Sequence, residues 1–171
     1  MNHAKNKVEW CLRKAKKELE SSNKHRGLVK IQPDLDQSRR FILKAEHYMK
    51  ATGYLKKGNF SDINASTIFY AMYHCLLAIA SKFWYESRNQ ECTFALINNL
   101  IEEGKIKLRK ELIDKVSSLD IKEDSNTSTE LREKYQYGTN LSLNNNIYNE
   151  LFELAKEILS ETKEIIEEWG K

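Results

Sequence analysis

The chain has 171 residues, 31% of them charged, with a net charge of +3 and one proline against six glycines. That length suits one domain with a full core and not two. The scarcity of breakers predicts helix almost throughout, and a charge of +3 is too small to define a nucleic-acid binder by itself.

The charge is unevenly placed. Residues 1–31 hold nine Lys and Arg against three Glu, and residues 143–171 hold seven Glu against three Lys. The two ends either lie against each other or face different partners. Three cysteines, Cys11, Cys75 and Cys92, form an odd and widely spaced set. That pattern argues against a disulfide framework and against a zinc site, and makes a reducing cytoplasm the expected compartment. The opening MNHAKNKVEWCLRKAKK lacks the apolar core of a leader peptide.

In chain order, residues 4–22 read as a first helix, with Val8, Trp10, Cys11, Leu12, Ala15 and Leu19 as an apolar stripe among lysines. Gly27 and Pro33 bracket residues 28–31, a short extended piece lying across the bundle. Asp34 is placed to cap a second helix over 34–57, in which Leu35, Phe41, Ile42, Ala45, Met49 and Leu55 recur at helical spacing. Gly58 ends it. Ser61 or Asp62 then opens the central helix, expected to run to about Tyr85. Between Ile63 and Ser81 it carries no Asp, Glu, Lys or Arg. A helix apolar on nearly all sides is buried in a protein or a membrane. Its Asn, Ser, Thr, Tyr and His residues interrupt the apolar run that a spanning helix needs, so it reads as the core of a bundle.

Residues 86–90 read as a polar turn, with Ser87 and Gln90 at capping-box spacing for a helix over 90–103. A short helix follows over 107–119, then a polar loop over 121–127. Ser128 or Thr129 opens a helix through Tyr137, which Gly138 ends. An Asn- and Ser-rich loop leads to a last amphipathic helix over 146–169. The expected fold is all-α: an antiparallel up-and-down bundle of four to five main helices over 34–171. Residues 1–33 form an N-terminal helical extension packed on it, within one domain.

The chain contains no glycine-rich phosphate loop, no GxSxG elbow and no HExxH, and neither a metal nor a cofactor is expected. Two places carry candidate chemistry. Tyr70 and His74 lie one turn apart on the central helix, either as a buried polar network or as a strip facing a ligand or a second copy. The helix LREKYQYGTN places Arg132, Lys134, Tyr135 and Tyr137 between polar loops. Arg offers a planar fork for phosphate and Tyr a face for a base, although a charged helix beside loops is usually a solvated face.

Several segments resemble the HEPN superfamily. ASTIFYAMYHCLLAIASK is similar to its second main helix, with the YYAxYHxxxALL-like run. RRFILKAEHYMKATGYLKKGNFSDINAS resembles the helix before it, and NQECTFALINNLIEEGKI the segment after it. LREKYQYG is similar to the "LRqkaDYg" element near the end, and KVEWCLRKAKK to the N-terminal extension of archaeal, uncharacterised HEPN-like relatives. The similarity covers about residues 7–140. It implies a helical homodimer in the cytoplasm that binds a nucleotide or RNA and works with a nucleotidyltransferase partner, as in toxin–antitoxin pairs. The nuclease branch of that family carries an Arg followed four to six residues later by His. The matching Arg here is Arg132, but no His follows it, and Tyr137 stands where one would be. Tyr, with an ordinary pKa of about 10, is a poor base at neutral pH.

Arg40 and His47 have similar spacing but lie in the second helix, away from the family's position. Three readings follow: a nucleotide- or RNA-binding HEPN partner with a degenerate nuclease motif; an active metal-independent ribonuclease using Arg132, Tyr137 and His74; and a dimeric helical scaffold without enzymatic activity.

Overall fold

The computed structural model describes residues 3–117 and 127–168. Its elements in chain order are α1 (His3–Ser21), β1 (Leu28–Lys30), α2 (Leu35–Lys57), α3 (Ser61–Lys82), β2 (Tyr85–Ser87), α4 (Gln90–Glu102), α5 (Lys110–Val116), α6 (Ser128–Tyr137) and α7 (Asn145–Glu167). The architecture is the expected all-α bundle, with one small two-stranded antiparallel sheet in which Leu28 faces Ser87 and Lys30 faces Tyr85.

Helix α3 is the axis. Helices α2, α4, α6 and α7 all pack on it, and Ile68, Phe69, Met72, Leu76 and Ile79 are fully buried. By length and composition alone α3 could cross a membrane, but 61% of its apolar window is buried inside the chain. Its apolarity is that of a core helix surrounded by other helices. The short turn after α2 makes α2 and α3 an antiparallel hairpin. Asp34 caps α2 as its sequence position predicts, its side chain accepting from the Gln37 amide at 2.8 Å.

The turn after α2 departs from the expected glycine cap. Gly58 has φ −81°, and the left-handed position falls to Asn59 (φ 62°), a residue that tolerates it. No side chain caps α3; Ser61 instead accepts the Leu143 amide at 3.0 Å, tying the loop before α7 to the start of α3.

The central helix stops at Lys82, short of the expected Tyr85. The Phe83 amide bonds back to Ile79 and Ala80, and Trp84 takes φ 76°, which turns the chain into β2. The extended piece predicted at 28–31 thereby finds a partner that the sequence pattern did not reveal. The capping box expected at Ser87 and Gln90 does not form. Asn89 caps α4, accepting from the Cys92 amide at 3.0 Å. Leu119 and Trp169, and residues 121–126 of the loop expected over 121–127, fall outside the described residues. Thr127 caps α6, one residue before the expected opening, in a reciprocal box with Glu130.

The cysteine reading is overturned. Cys11 and Cys92, 81 residues apart, form a disulfide joining α1 to α4. Spacing in sequence says nothing about which helices meet, and α1 packs along α4 with Cys11 on its buried side beside Ala4, Val8 and Ala15. The argument from cysteine usage to a reducing cytoplasm therefore no longer holds.

Candidate functional site around Arg132 and the aromatic strip

Helix α6 has only 10 residues in which to present charge, and its cap fixes its register. Arg132 lies one turn past the cap and turns inward: it is only 7% exposed. Its guanidinium carbon lies 5.0 Å from the Phe69 ring on α3, a cation–π contact that a desolvated arginine favours. One terminal nitrogen donates to Gln136 Oε1 at 2.9 Å and the other to Glu133 Oε1 at 3.1 Å. The buried Nε has no hydrogen-bond partner among the described residues. A buried donor left unpaired loses its bond to water without replacement, at a cost of about 1–3 kcal/mol.

Phe69 connects this cation to the strip on the other side of α3. Its ring meets Tyr70 edge-on at 5.5 Å and stacks on Tyr73 at 6.0 Å. Tyr70 in turn lies 5.9 Å from Tyr48 on α2, Tyr48 lies 5.3 Å from His74, and His74 lies 6.0 Å from Phe41. Lys44 stands 5.3 Å over Tyr48. The result is a continuous ribbon from Arg132 to Phe41, held by α6, α3 and α2. Residues Tyr70, Tyr73, His74, Tyr48 and Phe41 are all half-buried, so the ribbon belongs partly to the core and partly to the surface.

His74 Nδ1 lies 2.7 Å from the Tyr70 carbonyl. A carbonyl oxygen only accepts, so Nδ1 carries the proton, and Nε2 of the neutral ring is left as an acceptor. Burial lowers the His74 pKa, with Lys44 adding to the effect and the Tyr70 carbonyl opposing it. The ring is therefore neutral at pH 7. Tyr73 is the neighbouring polar anchor: its hydroxyl shares a hydrogen bond with Thr93 at 3.0 Å, and Thr93 donates to Ser87 at 2.7 Å. Burial raises its pKa, the Thr93 bond only partly offsetting it.

Beyond Phe41 a cleft of about 460 Å³ opens between α2, α3 and β2, lined by Asp34, Gln37, Leu77, Tyr85 and Arg88 among others. Its one arginine is bonded to Glu86 at 2.6 Å. With Asp34 also present, the cleft has no cationic excess and suits a phosphate poorly. Among the described residues no three His, Cys, Asp or Glu side chains gather at metal-binding distance.

The predicted site residues thus divide. Arg132, Tyr70 and His74 are joined through the ring of Phe69 and that of Tyr48. Tyr135 is half-buried against the core, while Lys134 and Tyr137 face outward, Tyr137 at 78% exposure. Five residues along a helix turn a side chain by about 140°, which separates Tyr137 from the buried guanidinium. Arg40 and His47 are both exposed on α2. Phe69, Tyr48 and Phe41 were not singled out as site residues; the legible signal was Phe41 and Tyr48 two turns apart on α2, which puts them on one face. The chain matches no protein-family model, and no curated protein sequence matches it.

Proposed function

We propose that this protein is a HEPN-type nucleotide- or RNA-binding homodimer that works with a nucleotidyltransferase partner, with a nuclease motif that has lost its histidine. The observation that carries the reading is the near-buried Arg132 guanidinium with an unpartnered Nε, flanked by tyrosines. Arg binds phosphate through paired donors, and an anion replacing the Glu133 carboxylate would occupy the donor that Glu133 now holds. The outward Tyr137 is the accessible acceptor for a partner that modifies a tyrosine beside the Arg motif, and Tyr135, being half-buried, is the less accessible one.

The test is co-expression with the product of an adjacent nucleotidyltransferase gene, followed by intact-mass and peptide mass spectrometry. A nucleotidyl adduct on Tyr137, absent in Tyr137→Phe, is expected. An unmodified protein that forms no complex with the transferase sinks the reading. The cytoplasm is the compartment it implies. Disulfides are rare there, so the Cys11–Cys92 bond weighs against that compartment.

The ribonuclease reading draws on one observation, the neutral His74 whose Nε2 makes no hydrogen bond among the described residues, the form a general base needs. It expects RNA cleavage by the purified protein that Arg132→Lys and His74→Gln both abolish. Equal cleavage by wild type and variants would remove it.

A further inference from the structure

Helix α1 buries only small side chains, Ala4, Val8, Cys11 and Ala15. Its opposite face is of another kind. Trp10 is 44% exposed, and on the helical wheel His3, Asn6, Lys7, Arg13, Lys14 and Lys17 all lie within about 60° of it. No acidic residue of α1 falls within that sector. Two of the lysines reach back over the indole: Lys7 at 4.4 Å and Lys14 at 5.3 Å from the ring centroid. From His3 to Lys17 the stripe is about 21 Å long. Lys7 is paired with Glu91 at 3.0 Å and Arg13 loosely with Glu9 at 3.9 Å. Both are exposed pairs of the kind worth little in water, so they yield readily to a stronger anion.

We infer that this outward face of α1 is a docking surface for single-stranded nucleic acid, with Trp10 as the stacking platform and Lys7, Arg13, Lys14 and Lys17 as phosphate contacts. A row of cations along an exposed aromatic is the combination that holds a flexible strand: charge tracks the backbone and the ring accepts any base. A duplex keeps its bases stacked internally and offers the indole nothing. A membrane fits less well. A surface-seeking helix inserts its apolar face, and of the apolar side of α1 Ala4, Val8, Cys11 and Ala15 are already buried and tied to α4 by the Cys11–Cys92 bond, leaving Leu19 as its one exposed large apolar residue besides Trp10. The surface stands apart from the Arg132 site and does not rest on the HEPN reading.

The experiment uses the full-length, oxidised protein and a short fluorescein-labelled oligouridylate, read by anisotropy across a salt series. Trp10→Ala is expected to weaken binding about five- to a hundred-fold, with Trp10→Phe close to wild type. The triple variant Arg13→Gln, Lys14→Gln, Lys17→Gln is expected to reduce the slope of log affinity against log salt by about 2. Tryptophan fluorescence is quenched on binding, and the quenching is lost in Trp10→Phe. Trp10, Arg13 and Lys17 are exposed and Lys14 is half-buried, and an unchanged melting temperature certifies the fold. Several results overturn the inference. One is no binding by the wild type. A second is affinity indifferent to the α1 variants but lost in Arg132→Lys, which moves the strand to α6. A third is equal affinity for duplex RNA with no effect of Trp10→Ala. A fourth is a blue shift of tryptophan emission on phosphatidylserine vesicles without oligonucleotide binding, which makes the face a lipid contact. A fifth is salt-sensitive self-association lost in the triple variant without oligonucleotide binding, which makes the acidic α7 of a second copy the partner.

Discussion

Cys75 and His74 are neighbours on α3 with opposite exposures to chemistry. Burial pushes the Cys75 thiol up to about 12, so it stays protonated and unreactive in the native protein. With Cys11 and Cys92 in a disulfide, iodoacetamide is expected to label nothing in the folded chain. It labels Cys75 alone on denaturation, and all three cysteines after reduction. Rapid labelling of the native protein would show that α3 opens or that the disulfide is absent. His74 has a native pKa below its ordinary value. The unfolded chain therefore binds the proton more readily. Its stabilising contribution is present above about pH 6.5 and is lost as pH falls through the lower native value. Urea midpoints measured from pH 7.5 down to 5 are expected to fall, and to fall less in His74→Gln. The Tyr70–His74 pairing was legible from one-turn spacing, and so was Arg132 as the lone arginine of its helix. The burial of Arg132 was not, because spacing on α6 does not say that Phe69 waits opposite.

At the scale of elements, the sequence was most informative where a local cap decides the matter. Asp34 before α2 and the threonine-rich start of α6 are local signals. In α6 the Thr127 side chain accepts the Glu130 amide and Glu130 Oε2 accepts the Thr127 amide at 2.8 Å. Thr127→Ala is expected to cost about 1 kcal/mol, read as a shift in urea midpoint. Because α6 is short, the same change is expected to loosen Arg132, seen as faster amide exchange across residues 128–137. Wild-type exchange in that helix would show that the Phe69 contact alone holds it. The missed elements are the non-local ones. Strand β2 lay hidden at the junction of the expected helix end, Tyr85, and the expected polar turn over 86–90, because pairing of Tyr85–Ser87 with Leu28–Lys30 depends on a partner 57 residues away. Trp84, at a left-handed φ that strongly favours glycine, gave no warning of a turn. A bulky residue is held there by a backbone bond across the turn: the Trp84 carbonyl accepts the Ile31 amide at 2.9 Å.

Over the whole molecule, helix content, order and the central position of α3 followed from composition and apolar periodicity, which act locally. That α1 packs on the bundle was expected, but its partner α4 and the Cys11–Cys92 bond between them were not, because spacing along the chain does not say which helices meet. Closing a loop of 81 residues is worth about 4–5 kcal/mol in the unfolded-state entropy account. Reduction is therefore expected to lower the melting temperature by roughly 10–15 °C, with Cys92→Ser behaving like the reduced wild type. An unchanged melting temperature on reduction would mean that α1 is held by packing alone.

The same bond has a topological effect. It closes a covalent ring whose contour contains β1, the whole α2–α3 hairpin and β2, and leaves α5, α6 and α7 as a tail. An exposed point on that ring is the Gly58–Asn59–Phe60 turn at the tip of the hairpin. A protease cutting there opens the ring without dividing the molecule. Both pieces migrate together on a gel run without thiol and separate when thiol is added. A cut in the tail releases a fragment under either condition. The molecule thus tolerates a nick at that exposed turn and keeps both halves of its core hairpin in one particle.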